Sequence, residues 1–289
     1  MKIEVFIPAY NCRETLPKTL ASLAAQTDSD FSVCVADDKS PEPLDDICAM
    51  FPMLNLRIVH NPINVGCGMA RQSAIDTSDA DYLIPLDSDD MLLPMAIAVF
   101  KQNARLKPDA DFFISWLYNE VPDPKGGTGY ITDKDGMTLV SGKMYKTDFL
   151  RKYGIRNCEE FSRFADDTYF NMLCFELGKT EFIPFPLYLY THNPKSVTNV
   201  NGGKDYWANV VPKFMRCVEA TSEIICKHKP ANEIRHFEGT LPYVRDMVEK
   251  RNQPDEIRQY NRLIDRLEEL GRTFETDIRL KGADENGTD

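Results

Sequence analysis

The carboxylates of this chain come in bursts. Asp87-Ser88-Asp89-Asp90 ends the apolar run Tyr82–Leu86 abruptly, with three carboxylates in four residues. Hard divalent cations prefer oxygen ligands, and Mg²⁺ or Mn²⁺ usually takes one or two protein carboxylates plus phosphate oxygens of a substrate. A D-x-D at a strand tip suits that chemistry. The same residues also suit a solvated turn in which Asp89 or Asp90 caps the next helix. Asp37-Asp38, ahead of Lys39-Ser40-Pro41, repeats the ambiguity. Its carboxylates match the imide N–H of a base or the hydroxyls of a ribose, and they equally match a turn and cap. Gly66-Cys67-Gly68-Met69-Ala70-Arg71 puts glycine at the start of a helix and Arg71 in its first turns. Arg71 is placed there either to grip a nucleotide or to pair with an Asp.

These groups must be positioned by the elements around them. Lys2–Pro8, Phe31–Ala36, Leu56–His60, Asp81–Leu86 and Asp111–Trp116 are short apolar runs that read as strands. Arg13–Ala25, Leu44–Met50, Gly68–Thr77 and Leu93–Leu106 read as the helices between them. Strict alternation implies βαβ units, hence an α/β fold with a mostly parallel sheet and helices on both faces. Ligands of such sheets bind beyond the carboxyl ends of the strands. Pro8-Ala9-Tyr10-Asn11, Asp37-Asp38, Asn61–Gly66 and Asp87–Asp90 should therefore line one edge. Carboxylates gathered there would repel one another, and a cation or a hydrogen-bonding ligand would relieve them.

Val121–Gly136 is rich in Pro, Gly, Asp and Lys and reads as a turn or mobile loop, suited to closing over a ligand. Beyond it the order changes. Leu139–Tyr145 reads as a strand, Thr147–Tyr153 and Asp167–Leu177 as helices, and Thr180–Tyr190 as one or two strands punctuated by Pro184 and Pro186. Trp207–His228, Ile234–Arg251 and Asp255–Phe274 are helical in pattern, and the acidic end Ala283–Asp289 is expected to be disordered.

Composition narrows the function classes. The chain has 289 residues, 43% hydrophobic and 27% charged, as expected of a globular protein. With 34 basic and 45 acidic residues the net charge is −11, which opposes binding to a nucleic-acid backbone or an anionic membrane. A nucleic-acid partner is not indicated. No apolar run is long enough to span a bilayer. Glu4 and Pro8 interrupt any signal-peptide core, so a cytoplasmic chain is expected. None of the eight cysteines forms a CxxC pair, and most read as reduced, buried, small hydrophobes. Neither GxGxxG nor GxxxxGK[ST] occurs, against a dinucleotide Rossmann enzyme or a P-loop NTPase.

Taken together, the motifs resemble the family-2 glycosyltransferases, inverting enzymes of the GT-A fold. The resemblance rests on Ile7-Pro8-Ala9-Tyr10-Asn11, Ser22-Leu23-Ala24-Ala25-Gln26-Thr27, Ala36-Asp37-Asp38-Lys39-Ser40, Asn64–Gln72 and Leu86-Asp87-Ser88-Asp89-Asp90. Each falls at a strand end or helix boundary and they come in the family's order. Lys39 stands where Gly is common, and Gln72 where Asn is usual. The likeness runs from about Lys2 to about Thr198.

The resemblance implies a nucleotide-diphosphate sugar donor, with a UDP-sugar favoured. Pro8, Ala9, Tyr10 and Asp38 would line the base and ribose pocket. Arg71, Asp87 and Ser88 would also contact the donor, with Asp37 and Asp90 in support. Asp89 would ligate Mn²⁺ or Mg²⁺, with His192 of Thr191-His192-Asn193-Pro194-Lys195-Ser196 as a further metal or phosphate ligand. The Arg common two positions before that His is Tyr190 here. The family's acidic pair at a helix start matches Asp166-Asp167, whose second member would be the general base. The acceptor would be a glycan, a lipid-linked sugar or another hydroxyl.

On this reading residues 1–200 form the GT-A domain, with a nucleotide-sugar half over 1–120 and an acceptor half over 137–200. Residues 204–280 form a helical extension that completes the acceptor cleft, makes a homo-oligomer contact or docks a partner. Tyr206 and Trp207 there suit a sugar ring or a helix–helix core. Three rivals stand beside this reading. A sugar nucleotidyltransferase would carry a Gly-rich, Arg-containing loop after the first strand, where Pro8–Asn11 stands. A non-catalytic nucleotide-sugar or carbohydrate-binding module would not need intact Asp87, Asp89 and Asp167. A phospho-accepting receiver domain has its Asp pair after the first strand of a shorter chain, whereas here the pair follows the second.

Overall fold

A computed structural model describes residues 1–122, 127–134, 140–194 and 204–281. The chain divides into two compact units, Met1–Pro194 and Lys195–Asp289. In the first, β1 (Ile3–Ala9) is buried along its whole length. It pairs in parallel with β2 (Ser32–Asp37) and β4 (Tyr82–Pro85), and β2 pairs in parallel with β3 (Asn55–His60). Burial from both faces explains why these strands read as apolar runs rather than as alternations. Ile3, Val5 and Ile7 share one core with Leu16, Leu20 and Leu23 of α1 (Leu16–Ala24), Ile47 of α2 (Asp45–Ala49), and Ile97 and Phe100 of α4 (Ala96–Leu106). The opposite face of β1 and β2 takes α3 (Cys67–Asp76).

Past β4 the sheet is mixed. Two-residue β5 (Met91–Leu92) runs antiparallel to β9 (Thr180–Tyr190), which lies parallel to β6 (Phe112–Pro122). Between β4 and β6 sits β8 (Lys143–Lys146), antiparallel to both. The full order is β3-β2-β1-β4-β8-β6-β9-β5. Phe112 stacks on Tyr145 and meets Phe149 of α5 (Thr147–Tyr153) and Phe175 of α6 (Asp166–Leu177). The helices thus cover both faces.

The loop expected over Val121–Gly136 is in part a hairpin. β6 runs on to Pro122, and β7 (Thr128–Asp133) pairs with it antiparallel, Val121 opposite Gly129 and Leu117 opposite Asp133. Thr128, Tyr130, Ile131 and Thr132 are strand formers that outweigh the turn residues flanking them. Positions 123–126 and 135–139 lie outside the described residues. Pro184 and Pro186 do not split β9; the register against β6 shifts beside Trp116 and absorbs them.

The second unit packs three helices, Lys204–Ile225, His236–Arg251 and Pro254–Glu269, around Val218, Val244, Val248, Tyr260, Leu263 and Ile264. Pro254 occupies the first helical turn, where its missing N–H is not needed. Lys195-Ser196, the side chains of Tyr206 and Trp207, and the end 283–289 lie outside the described residues. Among the described residues no helix is long and apolar enough to cross a membrane. All eight cysteines are free, and five of them are buried.

Candidate active site

β1 has β2 on one side and β4 on the other, so the strand order reverses there and a crevice opens beyond its carboxyl end. Pro8 and Ala9 form the buried end of β1, and Tyr10 emerges from it 52% exposed. Next in line, the Asn11 amide donates to Ser40 Oγ at 3.0 Å. The Ser40 amide in turn donates to Asp37 Oδ1 at 2.9 Å. His60 Nδ1 lies 3.1 Å from the other Asp37 oxygen. Asp38 is only 2% exposed, and both its oxygens are engaged by the chain after β3. It accepts from Asn61 Nδ2 at 2.9 Å and from the Val65 and Gly66 amides, each at 2.8 Å. The turn that the sequence allowed for the pair is made by Asp37 through the Ser40 amide, whereas Asp38 holds the loop 61–66, a role neither sequence reading gave it. Lys39 beside it has φ 64°, the left-handed backbone that glycine adopts freely.

Arg71 joins the two halves of the unit. One Nη donates to Asp87 Oδ1 at 2.6 Å, and the other donates to Asp166 Oδ2. These partners sit at the tip of β4 and in the first turn of α6. The ion pair that the spacing allowed is therefore made, and made twice.

Two glycines permit it. At Gly66, with φ +88°, a Cβ would fall 2.7 Å from Arg163 Cγ; at Gly68 one would fall 2.7 Å from Asp166 Cβ and 3.0 Å from Ser162 Cα. Ser162 fastens the same junction, because its carbonyl accepts the Gly68 amide at 3.0 Å and its Oγ the Met69 amide at 2.8 Å. Gly68→Ala is expected to destabilise the fold by about 1–3 kcal/mol and to lower turnover by displacing the start of α6. Melting temperature and donor turnover measured on one preparation check it. A variant that matches wild type in both contradicts the packing argument.

The far wall is built on Tyr188 of β9. Its hydroxyl donates to Asp90 Oδ2 at 2.6 Å and accepts the Asp87 amide at 3.2 Å. The other Asp90 oxygen accepts the Thr191 amide at 2.7 Å, and Asn193 Nδ2 donates to Asp89 Oδ2 at 2.7 Å. His192 lies between these two anchors, with its own amide on Glu120 Oε2 at 3.0 Å and its side chain exposed. Ser88 stands near the Cys12 thiol, which burial pushes up to about 11 and Ser88 draws partly back. The structure therefore brings Asp87, Asp89, Arg71, Asp166 and Asp167 to one crevice, and holds the His192 backbone against the same turn.

A family model described as "Glycosyl transferase family 2" matches residues 4–165, more than half of the chain. The chain belongs to that family. Glycosyltransferase GlyG of Streptococcus pneumoniae is 22% identical over 272 residues, which span 83% of this chain and 89% of that protein. Among solved structures, S. aureus TarS 1–349 in complex with UDP-GlcNAc superposes with a TM-score of 0.65 at 20% identity, over 93% of this chain and 83% of that one. The mannosyltransferase PcManGT of Pyrobaculum calidifontis, in complex with GDP-Man and Mn²⁺, gives 0.58 at 13% identity, over 93% and 74%. These likenesses show a shared fold, the GT-A fold that the motifs implied.

The crevice of this family-2 glycosyltransferase holds carboxylates that resist charge. Burial pushes Asp166 up to about 6, with Arg71 pulling it back. Burial likewise raises Asp167, against Arg71 and the hydrogen bond from the Thr168 amide. It raises Asp89, and it lifts Asp90 well above the usual carboxylate range, with the Asp87 charge adding to the effect. Among the described residues no three His, Cys, Asp or Glu side chains stand together as a metal site. Asp89 offers a hard oxygen donor beside Asp87, which fits an ion that draws its other ligands from a substrate diphosphate and water. Sequence reading missed Ser162, Tyr188, Asn193 and Glu120. Only Ser162 had a nearby cue, the Gly-x-Gly that must meet something close.

Proposed function

We propose that this glycosyltransferase moves a sugar from a nucleotide-diphosphate sugar, a UDP-sugar by preference, to a hydroxyl of an acceptor glycan or lipid-linked sugar. The displacement is single and inverts the anomeric carbon. The observation that carries the proposal is the double ion pair of Arg71, which ties the tip of β4 to the acidic start of α6. Donor groups beyond β1 and β4 and a base on α6 then stand on either side of one sugar. Fold relatives solved with UDP-GlcNAc, and with GDP-Man and Mn²⁺, support that donor class.

In this scheme Tyr10, at the mouth beyond Pro8 and Ala9, covers the base. Asp38 acts from behind by shaping the loop 61–66. Asp87, held by Arg71 and flanked by Ser88, faces the ribose and diphosphate. Asp89, with His192 from the facing segment, would hold Mn²⁺ or Mg²⁺, which supplies positive charge against the leaving diphosphate. Asp167 accepts the proton of the acceptor hydroxyl as that oxygen attacks. Asp166 stays on Arg71 and fixes the turn that presents Asp167. Asp37 and Asp90 brace the two strand tips.

A thermal-shift screen of nucleotide sugars, each with and without Mn²⁺, tests this. A UDP-sugar with Mn²⁺ present is expected to raise the melting temperature, reaching about 2.7 kcal/mol of stabilisation at a hundredfold excess over Kd. Release of UDP by slow donor hydrolysis then separates an enzyme from a binding module. A chain that melts unchanged with every donor overturns the proposal.

A further inference from the structure

Lys143 on β8 is 0% exposed. Lysine is almost never buried completely unless its charge serves something nearby, and the scheme above gives it no part. Its surroundings follow from the pleat. Residues two apart on a strand share a face, so Lys143 points the way Tyr145 points, toward α6. The Tyr145 hydroxyl donates to Asn171 Oδ1 at 3.0 Å, and its ring meets Phe170 edge-on at 5.4 Å. On α6, Asp167, Asn171 and Cys174 recur at four and then three residues and so share one face. Two strand residues advance about 6.6 Å and four helix residues about 6 Å. β8 is antiparallel to β6 and β9 is parallel to it, and α6 turns directly into β9, so α6 and β8 run in the same direction; with Tyr145 set against Asn171, Lys143 comes to the turn that carries Asp167. Burial raises both the Asp167 carboxylate and the Cys174 thiol, and the Lys143 charge draws each part of the way back.

Among the described residues, the groups facing Asp167 come from five elements. They are Arg71 and Cys67 of α3, Asp87 of the β4–β5 turn, Asp166 of its own helix, Tyr190 of β9, and Tyr145 and Lys143 of β8. Two of these are cations. The Nη groups of Arg71 are given to Asp166 and Asp87, and neither to Asp167. We infer that Lys143 is a positioning residue for the base, its buried ammonium standing behind Asp167 and holding that carboxylate ionised in a dry setting. The inference rests on the reading of Asp167 as base.

The test uses the full chain with the donor and Mn²⁺ found by the screen, water standing in for the acceptor. kcat/KM for nucleoside diphosphate release is followed from about pH 4.5 to 9. Lys143→Met keeps the bulk and removes the charge; Lys143→Gln is the second variant should Met pack poorly. Both are expected to move the acid limb upward by about one pH unit while donor-induced melting shifts stay within twofold of wild type. Melting alone gives a second readout. Without Lys143 the folded carboxylate lies further above its unfolded value of about 3.9. The stability tied to its neutral form is full below that value and is lost as pH rises through the folded one. The melting deficit of either variant should therefore grow from pH 4.5 to 8 and shrink in an Asp167→Asn background. An acid limb left in place, or a deficit independent of pH, overturns the inference. If Asp167→Asn is inactive and the Lys143 variants keep the wild-type limb, this inference alone fails. If Asp167→Asn itself turns over normally, the base assignment falls with it.

Discussion

Asp167→Asn is expected to cut turnover by about 10²–10⁴-fold, the span a positioned base contributes, while the melting shift given by donor and Mn²⁺ survives. The carboxylate sits in the first turn of α6 with one oxygen on the Thr168 amide at 2.7 Å. An Asn side-chain oxygen can keep that bond, so the local backbone has no reason to move. Burial already works against the charge of Asp167, and relief of that cost offsets the loss of its attraction to Arg71 and Lys143, so the melting temperature near neutral pH should stay close to wild type. That combination, a folded protein that binds donor and does not turn it over, separates a chemical role from a structural one. Near-normal turnover in Asp167→Asn would move the base elsewhere.

Arg71→Met is expected to fail differently. The guanidinium is buried between Asp87 and Asp166. Removing one partner of a buried pair strands the others, at a cost of about 3–5 kcal/mol, or on the order of 10 °C in melting temperature for a unit of this size. The loss should depend on pH with a definite sign. Arg71 pulls Asp166 down toward the ionised form, so its contribution is present where Asp166 is charged and fades as pH falls through about 6, the value of Asp166 in the folded chain. The melting deficit of Arg71→Met should accordingly be larger at pH 8 than at pH 5. Arg71→Lys keeps a charge but cannot fork to two carboxylates, and should fall between the two. A pH-independent deficit would mean that Arg71 matters for its bulk.

Much of the wall at the tips of β1, β2 and β4 was legible in the sequence because its pieces are local. β1, β2 and β4 are buried strands followed at once by polar residues, and that order places Tyr10, Asp37 and Asp87 without any knowledge of packing. The family assignment and the fold followed from the same strand-end motifs. The other wall was not legible. Tyr188 and Asp90 are 98 positions apart and Asn193 and Asp89 are 104 apart, and neither pair leaves a periodic trace. β5 is two residues long and exists only because β9 lies beside it. β7 was hidden by its composition, since glycines and prolines flank and enter a segment whose pairing with β6 is decided by Tyr130, Ile131 and their neighbours. Lys143 sat within an expected strand, where a lone charge reads as a solvent-facing residue until the helix above it is placed.

Helix starts at the edge of a parallel sheet commonly serve as anion cradles, because their first amides point outward without partners. Here Asp38 takes the amides of Val65 and Gly66, and Ser162 takes those of Gly68 and Met69. The cradle arrives already filled, by an aspartate that plays the part of an internal phosphate. Among the described residues, an anion meeting this helix start finds those four amides taken, and charge to balance it has to come from elsewhere.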